Sequence, residues 1–308
     1  MNTFSTRASS INRALDQIGD KWCLLIIQEA FWGVKGFSDF MTSTGASKGV
    51  LSNRLKWLQS VDCLQQHEVA GSKRMEYRLT PKTLDLYHTA LMALAFEQGP
   101  FGDARREHIT LTHRRCGKIF TPLLHCGACH SEVEVWDVDY EPGPGATRDA
   151  RDKKVRRRSS IPVADVPSAR AYYRDLINIV GDRWTANLIA LAFHGLTRFE
   201  QFHTELPVAT NILSDRLKFL VAEGIFEQSP YQESPRRLEY LLSAKGEGTY
   251  PFFLTLLQWG DRWCDPTGAG KPMALSHRRC GHDLNAIVVC SECGEALQPT
   301  DVAFELPG

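Results

Sequence analysis

The sequence predicts a mainly helical α+β chain in which one unit of helices, a β-hairpin and a small β module is written twice. Three observations carry this. Motifs recur in the same order at an offset of 162 residues: Gly19-Asp20-Lys21-Trp22 with Gly181-Asp182-Arg183-Trp184, GFSDF with RFEQF, and LSNRLKWL at 51–58 with LSDRLKFL at 213–220. After one-residue insertions, MEYRLT at 75–80 answers LEYLLS at 238–243, and HRRCG at 113–117 answers HRRCG at 277–281. Within each copy, apolar residues fall at helical spacing and then alternate, and each copy ends in the spacing H-x2-C-x9-C-x2-C. The units run from about 8 to 141 and from about 168 to 308.

The first unit shows the elements in order. Ser9 to Ile18 reads as a short helix. Asp20 is placed to cap a second, with Trp22, Leu25, Ile26 and Ala30 at helical spacing and Gly33 at its end. FSDFMTST gives a third, followed by a turn at Gly45-Ala46. Ser47 caps a fourth, whose buried stripe is Val50, Leu51, Leu55 and Leu58. LQQHEVAGSKRMEYRLT alternates around a Gly-Ser-Lys-Arg turn and reads as a hairpin. A long amphipathic helix is expected from Pro81 to about Gln98. Three helices followed by a basic-tipped hairpin make a winged helix-turn-helix, which offers a helix to the major groove and a hairpin tip to the neighbouring backbone. The expected domains are therefore a winged helix-turn-helix at 1–105, a zinc-ribbon-like module at 106–141, a linker at 142–167, a second winged helix-turn-helix at 168–268 and a second module at 269–308. A third GDRW, Gly260 to Trp263, has no helix-turn pattern behind it and reads as a helix end with Trp263 packed on the domain.

Whole-chain properties set limits. A chain of 308 residues suits two domains. Its 36 basic and 36 acidic residues cancel, so an anionic partner has to be argued from local clusters. The first twenty residues lack a signal-peptide core, and no stretch approaches the ~20 apolar residues of a membrane span. A cytoplasmic protein with no membrane partner is expected. Nine cysteines in a reducing compartment point to metal ligands, reactive thiols or core residues ahead of disulfides. The linker EPGPGATRDARDKKVRRRSSIPVADVPS carries a basic run from Arg148 to Arg158; it reads first as a solvated tether, with an arm along DNA phosphates as the alternative.

The set I-G-D-K-W, G-x-x-x-F-S-D-F, L-S-x-R-L-K-x-L and E-Y-x-L-T resembles the HxlR-type winged-helix transcription regulators, a branch close to the MarR proteins, over roughly 90 residues of each unit. The resemblance implies sequence-specific binding of double-stranded DNA by a dimer, with the fourth helix in the groove and terminal helices making the dimer contact.

On the exposed face of that helix, Ser47, Lys48, Ser52, Asn53, Arg54 and Lys56 are the DNA candidates, with Lys73 and Arg74 (and Ser72) on the wing. In the second unit the set is Thr210, Asn211, Ser214, Asp215, Arg216 and Lys218, with Arg236 and Arg237 (and Ser234) on the wing. An arginine fork suits guanine O6 and N7 or a phosphate, whereas wing residues more often meet phosphates. The alternative for Arg54 and Arg216 is a salt bridge to an acidic residue of the preceding helix.

His113, Cys116, Cys126 and Cys129 in the first unit, and His277, Cys280, Cys290 and Cys293 in the second, have spacing that suits tetrahedral zinc, giving two structural ions as the expected cofactor. His130, whose counterpart is Gly294, and His125 and His282, which have none, are set aside as ligands. A metal-free thiol cluster is the alternative. Cys23 reads as a small buried thiol. Some relatives sense oxidants through a cysteine just before G-x-K-W; neither unit has one, so thiol sensing would fall to Cys23, Cys63 or the zinc thiolates. No nucleophile beside a base, phosphate loop or open metal site is present, which argues against an enzyme. The leading expectation is a DNA-binding regulator in which two fused units imitate a dimer and further dimerisation is left open. A metal- or redox-responsive sensor, or a non-DNA scaffold, is the alternative, and the operator and any small-molecule effector stay unread.

Overall fold

The computed structural model of the chain describes residues 3–69, 71, 72, 74–102, 108–152 and 172–306. The first unit has helices α1 (Ser10–Ile18), α2 (Lys21–Phe31), α3 (Phe37–Thr44) and α4 (Lys48–Ser60). The wing β2–β3 (Leu64–Glu68, Met75–Leu79) follows, then α5 (Pro81–Leu84) and α6 (Tyr87–Gln98). The second unit repeats this as α7 (Arg174–Val180), α8 (Arg183–Phe193), α9 (Phe199–Glu205), α10 (Thr210–Ala222), β9–β10 (Phe226–Glu233, Arg236–Leu242), α11 (Ala244–Glu247) and α12 (Tyr250–Trp263). The caps read from sequence are in place. Asp20 accepts from the Trp22 and Cys23 amides, Ser47 accepts from Val50, and Gly33 and Gly45 take positive φ at helix ends. Among the described residues, no helix is long and apolar enough to cross a membrane.

The helix expected from Pro81 to Gln98 is broken. The Leu86 amide bonds the Thr83 carbonyl, one residue short of the α-helical partner, and the Lys82 carbonyl left free accepts at 2.7 Å from the indole N–H of Trp259 in the other unit. The second unit breaks at the same place, with the Thr249 amide on the Gly246 carbonyl.

Between the helices of the two units, the main contact is the packing of α12 on α1 and α6. The third GDRW sits in this junction. A Cβ on Gly260 would lie 2.3 Å from the Ser10 carbonyl oxygen, so only glycine lets α1 and α12 approach this closely. Asp261 accepts from Ser10 Oγ at 2.5 Å, and Arg262 and Trp263 both donate to Asp85. The segment read as a helix end is therefore also a latch between the units.

Each unit carries a small β module, but the strands of the two modules pair with each other. In the first module these are β4 (Thr110–His113), β5 (Lys118–Ile119), β6 (Pro122–Cys126) and β7 (Val138–Pro142); in the second, β11 (Met273–His277), β12 (Ala286–Cys290) and β13 (Val302–Glu305). All are antiparallel: β13 pairs β4, β12 pairs β6 and β11 pairs β7. Of these strands, only β4 and β5 pair within their own module. In the stretch read as a linker, β8 (Arg148–Asp152) pairs with β1 (Thr3–Arg7); the remainder of the basic run, 153–158, lies outside the described residues.

Candidate nucleic-acid interface and metal clusters

The fourth helix of each unit buries one apolar stripe, Leu51, Leu55 and Leu58 in α4 and Leu213, Leu217 and Leu220 in α10. Lys48, Asn53 and Lys56 are exposed on the first, as are Thr210, Asn211, Asp215 and Lys218 on the second. Ser52 and Ser214 are half-buried, and Ser47 is exposed while its hydroxyl caps α4. On the wings Arg74, Arg236 and Arg237 are exposed, with Arg74 3.3 Å from Asp39. Lys73 lies outside the described residues.

Arg54 and Arg216 stand apart from this set. Arg54 donates through Nε and Nη2 to the two oxygens of Asp20 at 2.7 and 3.0 Å. Arg216 reaches Asp182 through the same two nitrogens at 2.9 and 2.8 Å. The ion pair weighed as the alternative is the arrangement found, although the acid caps the second helix and does not belong to the helix just before. The same carboxylate thus caps one helix and clamps the next-but-one, which explains why GD(K/R)W and LSxRLK recur together. A guanidinium so held sets the orientation of its helix and has less of its fork left for a base. Sequence reasoning missed this because a cap and a clamp require the same residue, and capping alone accounted for Asp20.

The eight predicted metal ligands are all brought into clusters, but not in the grouping their spacing suggests. His113 and Cys116 meet Cys290 and Cys293; Cys126 and Cys129 meet His277 and Cys280. Each cluster takes two ligands from each unit, a correction to the within-unit sets. The reason lies in the strand pairing: β6 carries Cys126 alongside β12, and β4 is bordered by β13, so each knuckle faces the other unit. In the first cluster, Cys116 and Cys293 Sγ lie 3.4 and 3.3 Å from His113 Nδ1, and Cys116 lies 4.0 Å from Cys290. The second repeats this, with Cys280 and Cys129 at 3.4 and 3.3 Å from His277 Nδ1 and Cys126 at 4.0 Å from Cys280. All donor atoms of a cluster fall within 4.8 Å of one another. A tetrahedral zinc with Zn–S of ~2.3 Å and Zn–N of ~2.0 Å would set its ligands ~3.5–3.8 Å apart. The donors therefore fit that ion, and at 4.0 Å the sulfurs are far from the ~2.05 Å of a disulfide.

Both histidines are fully buried. Gly117 and Gly281, at φ near +70°, turn each His-x2-Cys knuckle back so that its amide bonds the histidine carbonyl. His130 takes positive φ where Gly294 does in the other unit, which fits a turn position. The Ser131 backbone amide holds the Cys129 thiol down at about 6, whereas burial pushes Cys290 up to about 11. Cys23, Cys63 and Cys264 are buried outside the clusters, and burial raises the Cys63 and Cys264 thiols. That is the environment of an unreactive core cysteine.

Comparison with known proteins adds an independent line. The family described as HxlR-like helix-turn-helix matches residues 17–98 and 179–268. An uncharacterized HTH-type transcriptional regulator of Mycobacterium tuberculosis is 36% identical over 132 residues, covering 43% of this chain and 82% of the relative. The HTH-type transcriptional regulator YodB of Bacillus subtilis is 29% identical over 90 residues, covering 29% of this chain and 80% of that protein. The solved structure of reduced YodB has 27% identity and a TM-score of 0.28, covering 31% of this chain and 95% of the other.

Proposed function

We propose, for a chain that belongs to the HxlR-like helix-turn-helix family, that it regulates transcription by binding double-stranded DNA through α4 and α10 together, its two units standing in for a dimer. The observation that carries this reading is the pair of polar helix faces, each braced by the same aspartate–arginine clamp and joined through the α1–α12 junction. On this reading Lys48, Ser52, Asn53 and Lys56 approach bases and phosphates of one half-site. Thr210, Asn211, Ser214, Asp215 and Lys218 serve the other, and Arg74, Arg236 and Arg237 add phosphate contacts from the wings. Ser47 starts the helix, while Arg54 and Arg216 act as positioning residues. Asn53 can pair with adenine and Asp215 can accept from cytosine N4, so the two half-sites differ. Two zinc ions, one in each Cys/His cluster, would each take two ligands from either unit. With four protein ligands they serve as structural cross-links and not as hydrolytic centres.

Footprinting and fluorescence anisotropy on the DNA upstream of the protein's own gene test the reading. Two protected half-sites about one helical turn apart are expected, with an affinity that falls with salt at a log–log slope of about −0.9 per contacted phosphate. Binding no tighter than to random duplex would sink it. A sensor reading is favoured by one observation, that both clusters bridge the units, so metal loss would loosen the spacing of the helices. DNA affinity unchanged by a chelator that strips the metal would rule this out.

A further inference from the structure

The two Cys/His clusters sit at opposite ends of one ribbon that both units build. On β6 and β12, Cys126 stands opposite Ala286 and Cys290 opposite Pro122. Cys126 thus ends one strand in the second cluster, and Cys290 ends the other in the first. The histidines are placed alike: His113 closes β4 opposite Val302 of β13, and His277 closes β11 opposite Val138 of β7. Each cluster therefore draws on the shared β6–β12 ribbon and on one outer ribbon. These pairings are only four or five residues long, which is marginal for two strands by themselves. Their buried apolar pair, Leu124 opposite Val288, lies in the shared ribbon. Ion pairs also cross between the modules, but Arg115, facing Asp301 and Glu295, is 59% exposed and Arg279, facing Asp137 and Glu134, is 51% exposed, so solvent screens them.

Chain connectivity points the same way. Cys116 and Cys290 are 174 residues apart, and Cys126 and Cys280 are 154 apart. Whichever cluster closes first closes a long ring, shortened where α12 packs on α1 and α6. The other ring then runs only through 117–125 and 281–289. The ring falls from about 160 residues in an open chain, or about 45 with the helices docked, to about 20, which favours the second closure about twentyfold or about threefold. Formation of the shared ribbon, needed once for both clusters, adds to this. Charge opposes it weakly. Three thiolates and a neutral histidine leave a zinc-filled cluster one net negative charge, and the four residues from Ala286 to Cys290 separate the ribbon ends by roughly 13 Å, beyond the ~8 Å Debye length.

We propose that the two clusters fill as one unit, zinc in either raising the affinity of the other about tenfold. At half-saturation about a quarter of the chains then hold a single ion, where independent sites leave about half. The junction between the units is accordingly cross-linked at both ends or at neither in most molecules, and it responds to falling metal more steeply than one site allows. The coupling presupposes zinc in the clusters and is indifferent to whether the helices bind DNA.

Native mass spectrometry of the full-length chain, titrated with zinc against a competing chelator, reads the shares holding no, one and two ions. A singly loaded share of about a quarter at half-saturation is expected, and a share of about half or more overturns the coupling. A chain that takes up no zinc overturns the metal reading itself, whereas two ions distributed independently remove only the coupling. Paired variants isolate the effect. Cys116→Ser with Cys293→Ser disables the first cluster, and Cys129→Ser with Cys280→Ser disables the second. The midpoints of the two variants should average about threefold more free zinc than that of the wild type, and an unchanged average overturns the coupling. If either variant does not fold, the wild-type distribution decides.

Discussion

Asp20 and Asp182 cap the same helix and hold the same arginine, yet their surroundings differ. In the first unit the pair is closed in, with Arg54 and Asp20 15% and 5% exposed; in the second, Arg216 and Asp182 are 32% and 29% exposed. The recognition helices are tethered unequally as well. The Trp57 indole in α4 donates to the Gln17 carbonyl at 2.7 Å, and Phe219 at the matching place in α10 has nothing to donate. The wings differ too, with five-residue strands in the first and strands of eight and seven in the second. The two copies therefore agree in how the helix is clamped and differ in how tightly it is held and what it displays. Fusion permits this: each half of a pseudo-dimer can be altered without altering the other.

The largest test of the comparison concerns the ligand sets. A variant lacking His113, Cys116, Cys290 and Cys293 (all to Ala) should keep one metal per chain, because it removes one whole cluster. A variant lacking His113, Cys116, Cys126 and Cys129 should keep none, because it halves both. Within-unit sites would give the opposite counts by metal analysis. Next, Asp20→Ala should cost about 3 kcal/mol in urea unfolding, since it removes a cap and takes the carboxylate away from a largely buried arginine. Asp182→Ala should cost only about 1 kcal/mol, because solvent already screens that pair; equal losses would erase the contrast. In footprinting, Asn53→Asp should shift base preference at one half-site and Asp215→Asn at the other, each by about 1–3 kcal/mol of discrimination. A shift at both, or neither, would break the assignment of one helix to one half-site. Trp57→Phe should cost about 1 kcal/mol and bring α4 to the state of α10. Smallest, His130→Gly should gain about 0.5 kcal/mol by relieving a positive φ, read as a small rise in the unfolding midpoint.

Much of this was legible beforehand, and the parts that were not share a cause. The duplication, the caps at Asp20 and Ser47, the wing and the eight residues that gather into the two Cys/His clusters follow from local spacing, and local spacing is what a sequence records. Which Cys-x2-Cys meets which His-x2-Cys is a long-range choice between two equal knuckles, and either grouping satisfies the same spacing. Only the pairing of β6 with β12 and of β4 with β13 decides it. The partner of the Lys82 carbonyl at the break after Leu84 is likewise long-range, an indole 177 residues away in the chain. Arg54 looked outward because its position in the helix is on the polar face; its length lets it turn back to Asp20.

The interleaved ligands also impose an order on the making of the protein. His113, Cys116, Cys126 and Cys129 leave the ribosome early, but neither set of four donors is complete until a residue beyond 279 has followed, and the first cluster waits for Cys293. Until then the first unit presents two half-built knuckles and open strand edges at β4, β6 and β7, and the matching halves are carried equally well by any neighbouring copy of the same chain. Closure within one chain and exchange between two chains use identical contacts, so the length of chain between β8 and α7 and the local concentration of nascent protein decide between them.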